Sequence, residues 1–279
     1  MQDTLAAARS VLFVPGDRPD RFDKAAASGA DAIILDLEDA VAGDAKTAAR
    51  DAVDRWLGSC RTDVVVRING TETDWHSDDL AMLAEHRCAV MVPKAHSVDH
   101  LAHISEQLGA ETRLVVLLET ALGIMAAHPV CAFHRVVRAA FGSVDLGAEL
   151  GIDPDDHGAL QYARSAVVMA SAAADLSAPL DGVTAAVEDE QRVAADSDRA
   201  ARSGFGGKLC IHPRQVAVVN SRFTPSELEI AWAHRVLHAA SDHGAHVVDG
   251  RMVDKPVVDR AMRIMTRSGR NADRETPNE

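Results

Sequence analysis

The sequence predicts an α/β chain folded as a (β/α)8 TIM barrel with a C-terminal helical extension, and three observations carry that prediction. Eight short runs rich in Val, Ile and Leu lie between residues 10 and 216. Each except the last is followed by a longer amphipathic or Ala-rich run, the alternation expected of repeated β/α units. The 279 residues exceed the about 250 that such a barrel needs and leave material for an extension.

In chain order, SVLFVPG (10–16) reads as the first strand, and PDRFDKAAASGA as a helix that stops near Gly29. DAIILDLED (31–39) is the second strand, followed by the helix DAKTAARDAVDRWLG. VVVRING (64–70) is the third, followed by SDDLAMLAEH. AVMVPKA (89–95) is the fourth, followed by SVDHLAHISEQLG, which Gly109 closes. RLVVLLET (113–120) is the fifth, with a helix through the 120s, and VVRAAFGSVDLG (136–147) holds the sixth. LQYARSAVVMASAAADLS is the longest clear helix. PLDGVTA (179–185) is a weak seventh strand, DEQRVAADSDRAARSGF a helix, and KLCIHPRQV (208–216) the eighth strand. An open doubly wound sheet is the alternative, but its nucleotide-binding form begins with a Gly-rich turn. The first turn here, PGDRPDR, has one glycine and matches neither GxGxxG nor a P-loop. The expected organisation is a barrel over 1–223, a helical extension over 224–270 and a frayed tail over 271–279. The extension opens with Ser226 as N-cap and Glu229 three residues on. A short turn and one more helix follow.

Composition excludes several functions. With 29 Lys and Arg against 42 Asp and Glu, the net charge is −13, and aromatics are 4%. That argues against a nucleic-acid partner but leaves room for an anionic small molecule gripped by local cations. Cys60, Cys88, Cys131 and Cys210 are far apart, which fits neither a disulfide framework nor a zinc knuckle. Asn69-Gly70-Thr71 matches a glycosylation acceptor, yet the N-terminus does not read as a secretory signal and no run reaches the ~20 residues of a membrane span. A soluble, cytoplasmic chain without a membrane partner is expected.

Barrels of this type carry their chemistry at the C-terminal ends of the strands. There the chain sets Asp17 and Arg18, then Asp36, Glu38 and Asp39, then Arg67 and Asn69, then Lys94, Glu119, Asp145 and His212. Glu119 and Asp145, read as ends of neighbouring strands five and six, suit a hard cation such as Mg²⁺, which keeps waters and takes further ligands from substrate. The bland alternative pairs Glu119 with Arg67 or Lys94. Arg67, after three valines, is either a fork for a carboxylate or developing oxyanion, or a structural partner of Glu38. Asp36 and Glu38 are expected to orient Arg67 or a metal-bound water; Asp39 does the same or caps the next helix. His96, His100 and His103 have i, i+4, i+7 spacing, but a solvated helical face is the preferred reading over a transition-metal site. His212 divides evenly between a structural hydrogen bond and a site role.

Taken together, SVLFVPGDRPDRFDKA, AIILDLEDAVAGDAK, VVVRING, VMVPKA, LLETALG, FGSVDLGAELG, GFGGKLCIHPRQV and GRMVDKPV occur in this order across almost the whole chain. This set resembles the citrate lyase β-subunit-like branch of the HpcH/HpaI aldolase superfamily, whose relatives include malyl-CoA, citramalyl-CoA and citryl-CoA lyases. The resemblance implies a barrel that assembles as a homotrimer or homohexamer and uses Mg²⁺. It places the metal ligands on Glu119 and Asp145 and the substrate- and enolate-binding arginine on Arg67. Its acid/base carboxylate, donated by a neighbouring subunit, falls on Asp254, which sequence physics alone reads as a turn or cap residue near Pro256. Coenzyme A phosphates would meet Arg18, Arg21 and Lys24. Many relatives read G-[AT]-E-D-L where this chain has Gly142-Ser143-Val144-Asp145-Leu146, so Val144 replaces an acid, as in the citramalyl-CoA branch. The implied activity is Mg²⁺-dependent cleavage of an acyl-CoA to a 2-oxo acid and acetyl-CoA. The alternatives are an aldolase acting on free hydroxy-oxo acids, a citrate lyase subunit fed by a carrier protein, and a thioesterase.

Overall fold

The structure, a computed structural model, describes residues 4–59, 64–109, 111–241 and 246–272. Cys60 and residues 273–279 of the expected tail lie outside the described residues. The chain divides into two compact units, 1–223 and 224–279.

The first unit is a closed parallel barrel in the order β1 to β8, with β1 pairing β8 to close it. The strands are β1 (Ser10–Pro15), β2 (Ala32–Asp36), β3 (Val64–Arg67), β4 (Ala89–Val92), β5 (Arg113–Leu118), β6 (Val136–Phe141), β7 (Leu180–Asp181) and β8 (Gly207–Cys210). All eight fall inside the runs read from sequence or within one residue of them. Their helices wrap the outside. They include Lys46–Leu57, His76–Leu83, Val98–Leu108, Gln161–Ala173, Glu190–Arg202 and Pro213–Phe223.

Alternation along each strand divides the apolar residues into two sets. Val11, Ala32, Ile34, Val65, Met91, Val115, Leu117 and Leu209 fill the barrel interior. Leu12, Ile33, Leu35, Val64, Val66, Leu114, Val116 and Leu118 pack outward under the helices. Because the side-chain period of a strand is two, the next inward positions after these runs are fixed. They are Asp36 after Ile34, Arg67 after Val65 and Glu119 after Leu117. Strand periodicity thus delivers three ionisable side chains to one rim. The opposite end is closed by the short helix Thr4–Ala7, whose Leu5 joins the interior cluster. Buried Arg138 ties it down by donating from Nη1 to the carbonyls of Leu5 (2.7 Å) and Ala8 (2.6 Å).

Three expectations change here. Asp145 is not at a strand end: β6 stops at Phe141, and Asp145 lies in the first turn of a helix, Ser143–Leu150, that starts directly after Gly142. The apolar run through Leu146 hid that break, because strand and buried helix look alike over so short a span. KLCIHPRQV ends as a strand at Cys210, and Pro213 opens a helix, its usual first-turn role. The longest helix is not Gln161–Ala173 but Lys255–Ala272 in the second unit, and it runs through 271 and 272, which were read as tail.

That second unit is a helix, an antiparallel two-stranded hairpin and a second helix. The helix Glu227–Ser241 begins with the expected capping box. The Ser226 backbone N–H donates to Glu229 Oε2 at 2.9 Å, and the Glu229 N–H donates to Ser226 Oγ at 3.3 Å. The expected short turn is a hairpin, β9 (His246–Val248) and β10 (Arg251–Val253). Asp249 and Gly250 both take positive φ, 50° and 75°, the Asp-Gly signature of a type I′ turn. Ala233, Val236, Ala261 and Ile264 form the unit's own small core.

Candidate active site

The rim built by β2 and β3 is a tight ion-pair cluster. Asp36 and Arg67 are register partners on adjacent strands. Arg67 Nε donates to Asp36 Oδ1 at 2.7 Å and Nη2 donates to Oδ2 at 2.6 Å, a two-pronged grip. Its Nη1 lies 2.9 Å from Glu38 Oε2 and 3.6 Å from Asp39 Oδ2. The guanidinium stacks 4.8 Å from the Phe13 ring centroid. Burial opposes its charge, but Asp36 and Glu38 hold Arg67 firmly cationic. Asp36 is further fixed by the N–H groups of Glu38 (2.9 Å) and Ala40 (3.2 Å). Asp36 therefore orients Arg67, while Glu38 bridges Arg67 to Lys94, whose Nζ donates to Glu38 Oε1 at 2.8 Å. Burial pushes the Glu38 carboxyl above its ordinary range, against the pull of Arg67 and Lys94. Asp39 is more than half exposed and stays beside Arg67; the following helical turns are capped by Ala42 and Ala45, so it caps neither.

Glu119 stands across this rim at the end of β5 and is 3% exposed. Its Oε1 accepts from the backbone N–H of Lys94 at 2.9 Å. Its other side is pressed against Gly142, where an added Cβ would fall 2.4 Å from Glu119 Cβ and 2.8 Å from Oε2. Only glycine allows β6 to turn into the next helix beside that carboxylate. Burial first, then repulsion from Glu38 and Asp145, pushes the Glu119 carboxyl up to about 8. Burial and Asp39 likewise raise Asp145, at the third position of the helix Ser143–Leu150. The bland reading of Glu119 as an ion-pair partner of Arg67 or Lys94 is not what the hydrogen bonds show: both cations bond to other acids.

Lys46, which sequence reading passed over, anchors the cluster from below. Its buried ammonium donates to Leu37 O (2.6 Å), Glu38 O (2.7 Å) and Asn69 Oδ1 (2.6 Å). Asn69 in turn donates from Nδ2 to Asp79 Oδ2 at 2.7 Å, and Asp79 receives Arg50 Nε at 2.8 Å. Asn69 is buried, so the glycosylation match is a structural asparagine. The signal available in sequence was only that Lys46 falls ten residues after Asp36.

The side-chain bonds of Arg18 and His212 are local and do not reach this cluster. Arg18 is half-buried and pairs with Asp20 at 3.2 Å; Arg21 and Lys24 are exposed on the turn and short helix after β1. Asp17, Asp20 and Asp23 alternate with them, so that segment accumulates no net positive charge. His96 precedes the Ser97 cap of Val98–Leu108 and is not on that helix, which breaks the three-histidine helical face. His212 is half-buried, and its Nδ1 accepts from the Arg214 N–H at 3.2 Å, a local turn bond. Asp254 caps the last helix of the second unit. It is exposed, and its Oδ1 accepts from the Val257 N–H at 3.2 Å.

Asp36, Glu38, Asp39, Glu119 and Asp145 face Arg67, Lys94 and Lys46, five carboxyl groups to three cations, so the rim is rich in oxygen donors. Among the described residues no three His, Cys, Asp or Glu side chains converge as a ready ligand set. Two carboxylates with open positions suit Mg²⁺ better than zinc or calcium. Among the described residues no helix is long and apolar enough to cross a membrane.

Comparison with known proteins bears on the family and the fold. The family model for HpcH/HpaI aldolase/citrate lyase matches residues 9–213. The chain is 39% identical over 273 residues to the citrate lyase subunit beta-like protein of Mycobacterium tuberculosis, covering 95% of this chain and 97% of that one. It is 36% identical to a (3S)-malyl-CoA thioesterase of Cereibacter sphaeroides, covering 88% and 89%. The crystal structure of CitE from M. tuberculosis in complex with magnesium, acetoacetate and coenzyme A superposes with a TM-score of 0.82 at 36% identity, covering 95% of this chain and 99% of that one. A second M. tuberculosis CitE structure, in complex with magnesium and pyruvate, gives 0.75 at 32% identity, covering 94% and 100%. With a closed eight-stranded barrel, a carboxylate-rich C-terminal rim and these relatives, the chain belongs to the HpcH/HpaI aldolase/citrate lyase family.

Proposed function

We propose that the chain is a Mg²⁺-dependent carbon–carbon lyase that cleaves a 3-hydroxy-3-carboxy acyl-CoA, of the citramalyl-CoA or malyl-CoA type, to a 2-oxo acid and acetyl-CoA. The observation that carries this reading is the desolvated Glu119 carboxyl, set beside Asp145 and facing Arg67 with no cation of its own. Glu119 and Asp145 would hold the ion. When bound, Mg²⁺ lowers the pKa of the substrate hydroxyl and polarises the forming ketone.

The residues of this chain supply the rest. In cleavage the hydroxyl proton passes to solvent, the adjacent carbon–carbon bond breaks, the C=O of the 2-oxo acid forms, and the bonding pair passes to the thioester as an enolate. Arg67, held in place by Asp36, stabilises the developing enolate oxygen with N–H groups already oriented before reaction. Asp254, from a neighbouring copy in a homotrimer or homohexamer, gives the enolate carbon its proton. In reverse it would remove that proton. Arg18, Arg21 and Lys24 would meet the coenzyme A phosphates, and the exposure of Arg21 and Lys24 keeps them available.

The test is a screen of malyl-, citramalyl- and citryl-CoA with and without Mg²⁺, with products identified by mass spectrometry. Acetyl-CoA plus a 2-oxo acid is expected, with loss of nearly all turnover in Glu119→Ala and Asp145→Ala. Wild-type rates in either variant would remove the metal assignment. Free CoA plus an intact hydroxy acid would favour thioester hydrolysis, the second reading, which the Cereibacter relative supports by its name. Activity on free hydroxy-oxo acids alone would instead make the chain an aldolase. Mixing Asp254→Asn with Arg67→Ala protomers should restore part of the activity if sites are shared between subunits.

A further inference from the structure

We propose that Lys94 binds the carboxylate of the 2-oxo acid portion of the substrate, an assignment that rests on the lyase reading only for the class of that acid. Lys94 follows Pro93 at the end of β4 and adopts φ of +50°. A side chain with a Cβ is strained there. The other described non-glycine residues with positive φ are Asp175 and Asp249, a residue type that tolerates this conformation. The left-handed turn aims the Lys94 N–H at Glu119 Oε1, 2.9 Å away. Glycine would do that without strain, so the backbone bond does not account for a lysine. The side chain must supply the reason.

Its ammonium has three donors. One meets Glu38 Oε1 at 2.8 Å, and among the described residues no other acceptor meets the remaining two. The side chain is 41% exposed, whereas that of Arg67 is 10% exposed. Arg67 already has Nε and Nη2 on Asp36 and turns Nη1 to Glu38. An incoming carboxylate therefore finds its accessible cationic donors on Lys94. Lys94 also borders a small pocket walled by Thr71, Ser97, His96 and His100, with Glu72 as its acid.

The assay is calorimetric titration of pyruvate into the full chain in saturating Mg²⁺, for wild type, Lys94→Gly, Lys94→Met and Lys94→Arg. Lys94→Gly keeps the left-handed backbone and its N–H while deleting the ammonium. Both Lys94→Gly and Lys94→Met are expected to weaken pyruvate binding by about 10-fold or more, with Lys94→Arg recovering part of it. The Mg²⁺ dissociation constant should stay within about threefold of wild type in Lys94→Gly, because its bond to Glu119 survives. Unchanged pyruvate affinity in both deletions would overturn the proposal. So would a loss in Lys94→Met that Lys94→Gly does not share, or a loss matched by an equal fall in Mg²⁺ affinity. A wild-type chain that binds neither pyruvate nor glyoxylate would overturn it as well. Binding is read without turnover, so a chain that binds the oxo acid and cleaves no acyl-CoA overturns the lyase reading alone.

Discussion

Glu119→Gln should make the metal-free protein more stable at alkaline pH while destroying its response to Mg²⁺. The wild-type carboxyl is raised from an ordinary 4.5 to about 8, chiefly by burial and then by Glu38 and Asp145. An acid with a raised folded pKa binds its proton more tightly in the folded state than in the unfolded one. Its contribution to stability is therefore full below pH 4.5, declines between 4.5 and 8, and is lost above 8. The rise from 4.5 to about 8 corresponds to roughly 4–5 kcal/mol of charge burial at pH 9. A glutamine keeps the volume and the acceptor for the Lys94 N–H but carries no charge. Thermal unfolding of both proteins in EDTA, from pH 5 to 9, should show a gap that opens with pH. At about 2–4 °C per kcal/mol for a chain of this size, the variant should melt on the order of 10 °C higher at pH 9. Mg²⁺ should raise the wild-type Tm, by the mass action of a ligand that binds only the folded form, and leave the variant unmoved. A Tm gap that stays constant from pH 5 to 9, or a glutamine variant with the wild-type Mg²⁺ response, would refute the argument that Glu119 is a charge buried in wait of a cation.

Three further perturbations follow from the same rim. Gly142→Ala places a Cβ 2.4 Å from Glu119 Cβ, so the carboxylate must move; stability should fall by about 1–3 kcal/mol in urea titrations, and Mg²⁺ should bind at least 10-fold more weakly by calorimetry. Asp36→Ala strands the buried Arg67 guanidinium and should destabilise by about 3–5 kcal/mol, whereas the double variant Asp36→Leu with Arg67→Met should recover most of that stability and none of the turnover. Lys46→Met leaves Leu37 O, Glu38 O and Asn69 Oδ1 without their shared donor; a loss of about 2–4 kcal/mol is expected by chemical denaturation, with turnover lowered in proportion to how far the loop bearing Glu38 relaxes.

The barrel was legible because each strand is a local event. Val64, Val65 and Val66, or Leu114 to Leu118, must be extended and buried on both faces, and nothing distant alters that. Elements that depend on a neighbour were not legible. The helix carrying Asp145 begins where it does because Gly142 must pass Glu119, and that contact joins residues 23 apart in sequence. Lys46 looks like a surface residue in KTAAR, yet it is buried, because two carbonyls after β2 and Asn69 after β3 turn toward one point. The left-handed Lys94 has no sequence signature, since its conformation is imposed by the acceptor across the rim. The hairpin at Asp249-Gly250 is the exception: its turn signal is local, and it was available to reading.

The same distinction explains why acids stand at the ends of greasy strands. Inward alternation requires that whatever follows Val115 and Leu117 points into the mouth, and the interior layers below it are closed by Leu5 and its neighbours. A side chain at that position cannot retreat to solvent by choosing another rotamer along the strand. An acid there keeps its charge only if something in the mouth compensates it. Arg67 is taken by Asp36, and Lys94 by Glu38, so Glu119 and Asp145 are left to repel one another. Replacing Glu119 and Asp145 by Gln and Asn together would relieve that repulsion, and a stability gain in metal-free protein smaller than the sum of the single gains would measure it directly. Simple additivity in that double-mutant cycle would mean the two carboxylates do not share a site.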